Sequence, residues 1–287
     1  MRGMTSLFSA ERIFAFSESP PDQITIEVVG ETGSTNADLL ARIQTVHAAD
    51  TLTTPALLIA EQQTAGRGRA GRTWLSAPSA ALMFSLAWRF DLPLQKLVGL
   101  PLAVGVAIVT SLNAYLAQAS GDTKTDVGIR LKWPNDLLLA DDKLGGILIE
   151  TTSANCVNGE RNAWAVIGVG INIAMPTDMQ QQLGRSVANL PVPANFDRDA
   201  LMAELLRGLT QALQQFQQHG LGAFVARWNQ LHAHAGQQVV ILDQGKVLHE
   251  GTALGIDEIG RFLLQTAPDA QPVAIMAGDI SLRVKET

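Results

Sequence analysis

Residues 61 to 74, EQQTAGRGRAGRTW, hold three glycines and three arginines and almost no apolar side chain. Such a stretch can neither bury a helical stripe nor alternate like a half-buried strand, so the chain must fold around a loop here, presented by the elements on either side. Those elements read as strands: Ala56 to Ala60 after the break at Pro55, and Leu82 to Phe90. Within the loop, Gly66, Gly68 and Gly71 satisfy the dinucleotide pattern G-x-G-x-x-G, with Asp91 placed 20 residues on, and Arg72 stands where a phosphate-binding loop would need Lys. Both motifs require a helix to open at the last glycine, because its amides hold the phosphate. The sequence continues Thr73-Trp74-Leu75-Ser76-Ala77-Pro78, and Pro78 stops a helix before one turn is complete. A third reading needs no helix: Arg67, Arg69 and Arg72, always charged and with forked donors, wrap an anion directly while the glycines let the loop move. A dinucleotide site and a merely solvated loop remain as rivals at this point.

The rest of the chain reads as a mixed α+β protein. A weakly patterned N-terminus leads to a strand over Ile24 to Gly30; Gly-Ser-Thr-Asn at 33 to 36 then opens a helix, with Ser34, Thr35 and Asn36 each suited to cap it and Leu39, Leu40 and Ile43 on one face. Leu97 to Leu116 predicts a buried helix with Pro101 in its first turn, and Ile129 to Trp133, Leu137 to Leu139, Gly146 to Glu150 and Ala165 to Ile173 predict a meandering sheet. Helical spacing returns from Asp199 to Phe216 and runs to about Leu231, giving one helical layer on one sheet. Beyond Gly236 the pattern turns to short strands and turns, as in a small barrel, so two domains are expected, residues 1 to 234 and 235 to 287.

Composition narrows the functional classes. With 21 Lys and Arg against 27 Asp and Glu, the net charge of −6 creates no global field for nucleic acid or anionic lipid, so any basic function must be local. The longest apolar stretch, Leu97 to Val109, is interrupted by Gly99, Pro101 and Gly105, so no membrane span is expected; the N-terminus has no sustained apolar segment or cleavage site, and a cytoplasmic protein follows as the expectation. The lone Cys156 reads as an incidental thiol. His47, His219, His232, His234 and His249 are scattered and read as surface residues.

A second polar cluster follows. Lys132-Trp133-Pro134-Asn135-Asp136 joins a strand to a turn, and Lys143-Leu144-Gly145-Gly146-Ile147-Leu148 opens another strand seven residues after Asp136, bringing two lysines near one sheet edge. Taken in order and spacing, GSTN, QTAGRGRAGRTW, KWPNDLLL, KLGGILIE and GVGINI closely resemble the biotin–protein ligases, from about residue 24 to the C-terminus. The resemblance implies a catalytic domain similar to class II aminoacyl-tRNA synthetases followed by an SH3-like barrel. It also implies a two-step reaction, in which biotin and ATP give biotinyl-5′-adenylate, and the biotinyl group then passes to one lysine of the biotin carboxyl carrier protein of acetyl-CoA carboxylase.

Motif by motif, the resemblance implies that Ser34, Thr35 and Asn36, with Gln63 nearby, line the biotin ureido end. It places Gly66, Arg67, Gly68 and Arg69 over biotin and the adenylate phosphate, Lys143 at the carboxylate and α-phosphate with Gly146 beside it, and Trp74, Lys132, Asn135, Asp136 and Asn172 on the nucleotide side. Mg²⁺ would enter with ATP, held partly by its phosphates, and no protein metal cage is assigned. The chemistry fits: joining two anions develops charge on the phosphoryl oxygens, which fixed cations stabilise, and the reactive adenylate needs shielding from water. Lipoate or another acyl group on the same fold, and a sensor that binds biotin or its adenylate without transfer, are the alternatives. Some members carry an N-terminal helix-turn-helix; with 32 residues before GSTN and a strand already among them, no DNA binding is expected. Oligomeric state, a homodimer included, stays open.

Overall fold

A computed structural model describes residues 7–17, 24–44, 52, 54–75, 77–121, 126–153, 162–183, 186–193, 196–243, 245–277 and 280–284. Cys156 and His47 lie outside them.

A seven-stranded mixed sheet organises the larger part of the chain. Its strands are β1 (Thr25–Thr32), β2 (Ala56–Gln63), β3 (Ala81–Phe90), β4 (Ile129–Lys132), β5 (Asp136–Leu139), β6 (Asp142–Ser153) and β7 (Ala163–Asn172), in the spatial order β1-β2-β3-β7-β6-β5-β4. β1 and β2 run parallel, as the intervening helix α2 (Thr35–Gln44) requires, and all other pairs are antiparallel, so the expected meander exists as β4 to β7. The central strands are nearly continuous in buried apolar residues because both faces are covered.

One face packs on α3 (Leu100–Ser120) and α5 (Arg198–His219), with α6 (Gly222–Leu231) alongside. At 21 residues α3 is long and apolar enough to cross a bilayer, longer than the interrupted stretch suggests, but most of it is buried against the sheet and α5. The other face carries α2, whose Leu39 and Ile43 pack on Leu58, Ala87, Trp164 and Val166. The expectation of a single helical layer is therefore corrected: α2 is too short and polar to reveal its own sheet face by periodicity, and that face is where the cavity opens. The weak N-terminal pattern also hides a helix, α1 (Ala10–Ser17), which is held by Ser9 N–H on Asp199, Leu7 N–H on Glu61, and the Arg12 ion pairs to Asp197 and Asp199. A short α4 (Thr177–Leu183) follows β7.

After α6 the chain forms a five-stranded antiparallel, SH3-like sheet, β11-β10-β9-β8-β12, from β8 (Gln238–Asp243), β9 (Lys246–Ile256), β10 (Phe262–Gln265), β11 (Val273–Ile275) and β12 (Ile280–Val284). It shares one apolar core with the larger sheet. The buried Trp133 indole donates to the Gly260 carbonyl at 3.2 Å and packs on Phe262, while Asn229 of α6 exchanges two hydrogen bonds with Ile256. His232 and His234, read as surface residues, are 5% and 3% exposed in this seam. His232 stacks on Trp228 and meets Phe262 edge-on, so its ring serves as an aromatic filler, a role that sequence spacing cannot show.

Candidate active site

The cavity opens on the α2 face of the sheet, over the small residues of β6 and β7. Local backbone rules place its parts. Ser34 precedes α2 and accepts the Ala37 N–H at 3.5 Å, an N-cap that aims the first helical turn into the cavity. Thr35 and Asn36, the first residues of that turn, are almost fully buried. The Thr35 N–H donates to Gln63 Oε1 at 2.9 Å, its hydroxyl lies 2.6 Å from Ser85 Oγ, and Ser85 donates to Asn36 Oδ1 at 2.6 Å. Asn36 Nδ2 then donates to Glu150 at 3.0 Å and to the Leu148 carbonyl at 3.3 Å. The side chains of Thr35, Ser85 and Asn36 at this end are uncharged and linked to one another by hydrogen bonds.

Two glycines of β7 make room for it. A Cβ on Gly168 would stand 2.3 Å from Asn36 Oδ1, and one on Gly170 would stand 2.5 Å from the Trp74 ring. Both residues line the cavity floor, and any side chain there would fill it.

The other end is cationic. The glycine- and arginine-rich loop is drawn into a narrow hairpin, with Gly68 N–H on Arg72 O at 2.7 Å, Trp74 N–H on Gly66 O at 2.9 Å, and a turn through Ala70 and Gly71 at positive φ (52° and 69°). The dinucleotide reading fails here, since the three-residue helical turn Arg69–Gly71 is followed by extended chain and β3, not by a helix. Arg67 pairs with Glu150 at 2.9 Å, and Arg69 donates to Asn135 Oδ1 at 3.0 Å. Asn135 sits in the turn between β4 and β5, which contains a cis Trp133–Pro134 bond, and it is fixed by Nδ2 on the Ile147 carbonyl at 2.7 Å. Lys143 lies where the β5–β6 register shifts, and its ammonium reaches Asp136 at 2.5 Å. Ammonium and carboxylate are both about four-fifths buried, so the pair feels a lower dielectric than a surface ion pair.

Ser34, Thr35, Asn36, Gln63, Arg67, Gly68, Arg69, Trp74, Lys132, Asn135, Asp136, Lys143 and Gly146 thus all line one cavity. Gly66 and Asn172 do not. Gly66 lies behind Trp74, and the buried Asn172 amide donates to the Lys143 and Ala188 carbonyls at 3.1 Å each, tying down the strand that carries Lys143. Sequence reasoning missed Ser85, the one hydroxyl in the apolar run ALMFSLAWRF, and Glu150, which closes the KLGGILIE motif. It also missed Leu282 and Arg283 of β12, by which the small sheet borders the cavity.

Residues 34–172 match the biotin/lipoate A/B protein ligase family, and residues 234–283 match the biotin protein ligase C-terminal domain. The chain is 36% identical over 263 residues to the bifunctional ligase/repressor BirA of Escherichia coli (91% of this chain, 75% of that one). It is 34% identical over 256 residues to the biotin–[acetyl-CoA-carboxylase] ligase of Mycobacterium tuberculosis (89% and 88%). Among solved structures, the Aquifex aeolicus biotin protein ligase in complex with biotin and ATP aligns with a TM-score of 0.68 at 24% identity, over 91% of this chain and 99% of that one, which speaks for the fold. By sequence, fold and the order of its motifs, this chain belongs to the biotin–protein ligase family.

Proposed function

We propose that the chain couples biotin to AMP and then passes the biotinyl group to a lysine of a biotin carboxyl carrier protein. The observation that carries this reading is the juxtaposition, in one cavity, of a neutral hydrogen-bonding end suited to a urea and a cationic end suited to a carboxylate and a phosphate. Ser34, Thr35, Asn36 and Gln63 hold the ureido ring. Lys143 leaves Asp136 to neutralise the carboxylate oxygen that attacks the α-phosphorus and the charge that grows on the phosphoryl oxygens. The carboxylate–phosphorus bond forms as the bond to pyrophosphate breaks. Arg67 and Arg69 close over the resulting anhydride and exclude water until the acceptor amine attacks its carbonyl and AMP departs. Asp136, freed from Lys143, is placed to orient that amine. Trp74, Lys132 and Asn135 stand on the nucleotide side, and Asn172 supports them from behind through the Lys143 carbonyl.

Mg²⁺ would arrive with ATP. Among the described residues Asp136 is the one carboxylate lining the cavity, and no group of three or more metal-ligating side chains occurs. Such a donor set fits an ion that keeps phosphate and water ligands. A lipoyl substrate suits the site poorly, because its apolar ring would leave the donors and acceptors of the neutral end unpaired. We place the domain boundary at residues 234–235, between α6 and β8, and the reaction in the cytoplasm. Incubation with biotin, Mg·ATP and a carrier domain should label that domain only when its acceptor lysine is present; labelling without the lysine, or none at all, overturns the reading.

A further inference from the structure

Glu150 joins the two ends of the cavity. It lies on β6, on the same face as Gly146 and Leu148, and both of its carboxylate oxygens are engaged: Oε2 accepts the Asn36 amide at 3.0 Å and Oε1 takes the Arg67 guanidinium at 2.9 Å. An ionised carboxylate only accepts, so Asn36 must turn its NH₂ toward Glu150 and its Oδ1 toward Ser85. Ser85 then spends its single hydroxyl proton on Asn36, at 2.6 Å. The 2.6 Å contact between Ser85 and Thr35 can therefore be bridged only by the Thr35 proton, which leaves Gln63 Oε1 to the Thr35 N–H. Glu150, together with the Leu148 carbonyl that takes the same Asn36 amide at 3.3 Å, thereby fixes the direction of a buried relay that ends at Thr35 on the cavity wall.

We infer that Glu150 is a positioning residue with two separable tasks: it polarises the Asn36–Ser85–Thr35 relay behind the wall that receives the ligand's N–H groups, and it holds Arg67 over the cavity so that the intermediate stays in. The inference rests on the ligase reading above. Two variants separate the tasks. In Glu150→Gln the side-chain carbonyl still accepts from Asn36, but the charge that holds Arg67 is gone; in Glu150→Ala both partners are lost.

The test uses the full chain with biotin and Mg·ATP and no acceptor. It measures the rate at which adenylate escapes, the KM for biotin, kcat for biotin-dependent pyrophosphate exchange, and thermal melting. For Glu150→Gln, loss of one charge-assisted hydrogen bond predicts roughly 10-fold faster escape, with a rise in the KM for biotin of about 3-fold that stays smaller than the rise in Glu150→Ala. For Glu150→Ala, escape and KM should both rise roughly 10-fold while kcat changes little. Combining Glu150→Gln with Arg67→Gln should add almost nothing to escape beyond either single change. Wild-type escape in Glu150→Gln, or a fall confined to kcat, overturns the inference, and if Glu150→Ala does not fold then Glu150→Gln decides alone. A wild-type chain without biotin-dependent exchange sinks the ligase reading and this inference with it, whereas variants that match an active wild type sink only the inference.

Discussion

The two ends of the cavity are built on opposite principles. At the α2 end the side chains of Thr35, Asn36 and Ser85 are buried and hydrogen-bonded to one another and to Glu150, so ligand meets a surface already in its working geometry. At the other end three cations are committed to internal partners, Lys143 to Asp136, Arg67 to Glu150 and Arg69 to Asn135, and chemistry requires that at least one of them be exchanged for substrate. The difference follows from desolvation. A neutral network can be buried cheaply once its hydrogen bonds are complete, whereas an unpaired ammonium in a half-buried site would be costly to hold between turnovers. One end is preorganised by neutrality, and the other stores its charge in pairs.

Substitutions at the cationic end should act on rate, and the largest effect belongs to Lys143→Ala. Removing a preorganised charge stabiliser typically costs ~3–4 kcal/mol, so biotin-dependent pyrophosphate exchange should fall roughly 10²- to 10³-fold while biotin binding by calorimetry changes little. Exchange near the wild-type rate would mean that the pair with Asp136 is only structural. The neutral end should respond in affinity instead. Gly168→Ala drives a methyl to 2.3 Å from Asn36 Oδ1 and must displace a buried amide, which predicts a biotin KM roughly 10- to 100-fold higher with kcat nearly kept. Gly170→Ala meets the Trp74 ring and should raise the KM for ATP more than that for biotin. If the two alanines shift the same KM, the division into two ends is wrong. A smaller effect is expected from Arg69→Gly: with the bond to Asn135 gone, adenylate should escape roughly 10-fold faster while its synthesis slows less, as rapid quench and filtration can separate. Retention as tight as wild type would remove Arg69 from the closure.

The same contrast explains what was legible in the sequence. The cationic end was readable because its residues announce themselves: three arginines among glycines, and lysines beside Pro-Asn-Asp, have few reasons to occur together in an apolar protein. The neutral end was readable only through resemblance, since Ser-Thr-Asn at a helix start is also ordinary capping. Ser85 stayed hidden because one serine in a buried strand carries no periodic signal, and Glu150 because a strand-end carboxylate usually faces water. The larger sheet, its meander and the small barrel followed from alternation and turn residues, but the second face of the sheet did not. Periodicity gives the face that a helix buries, not the side of the sheet on which it docks.

The smallest effect at neutral pH, and the one that tells acid loss of activity apart from loss of either end, concerns the seam between the two sheets. His232 is 5% exposed, both ring nitrogens are without partners, and burial, reinforced by His234, lowers its pKa to about 4. His234 is shifted down as well, first by burial and then by the Lys132 charge, with Gln237 and Asp141 opposing. For His232 the unfolded chain takes up a proton near pH 6.5 and the folded chain only near 4. Stability is therefore full above about 6.5, declines by about 1.4 kcal/mol per pH unit below it, and is lost to the extent of roughly 3 kcal/mol once the pH has passed the folded value. His232→Leu keeps the volume and the apolar contacts but cannot bind a proton, so its melting temperature should match wild type near pH 7 and exceed it progressively toward pH 4.5. Activity lost on acidification should then recover in this variant to the extent that unfolding caused the loss. A variant that melts in parallel with wild type from pH 7 to 4.5 would show that the seam does not govern acid stability.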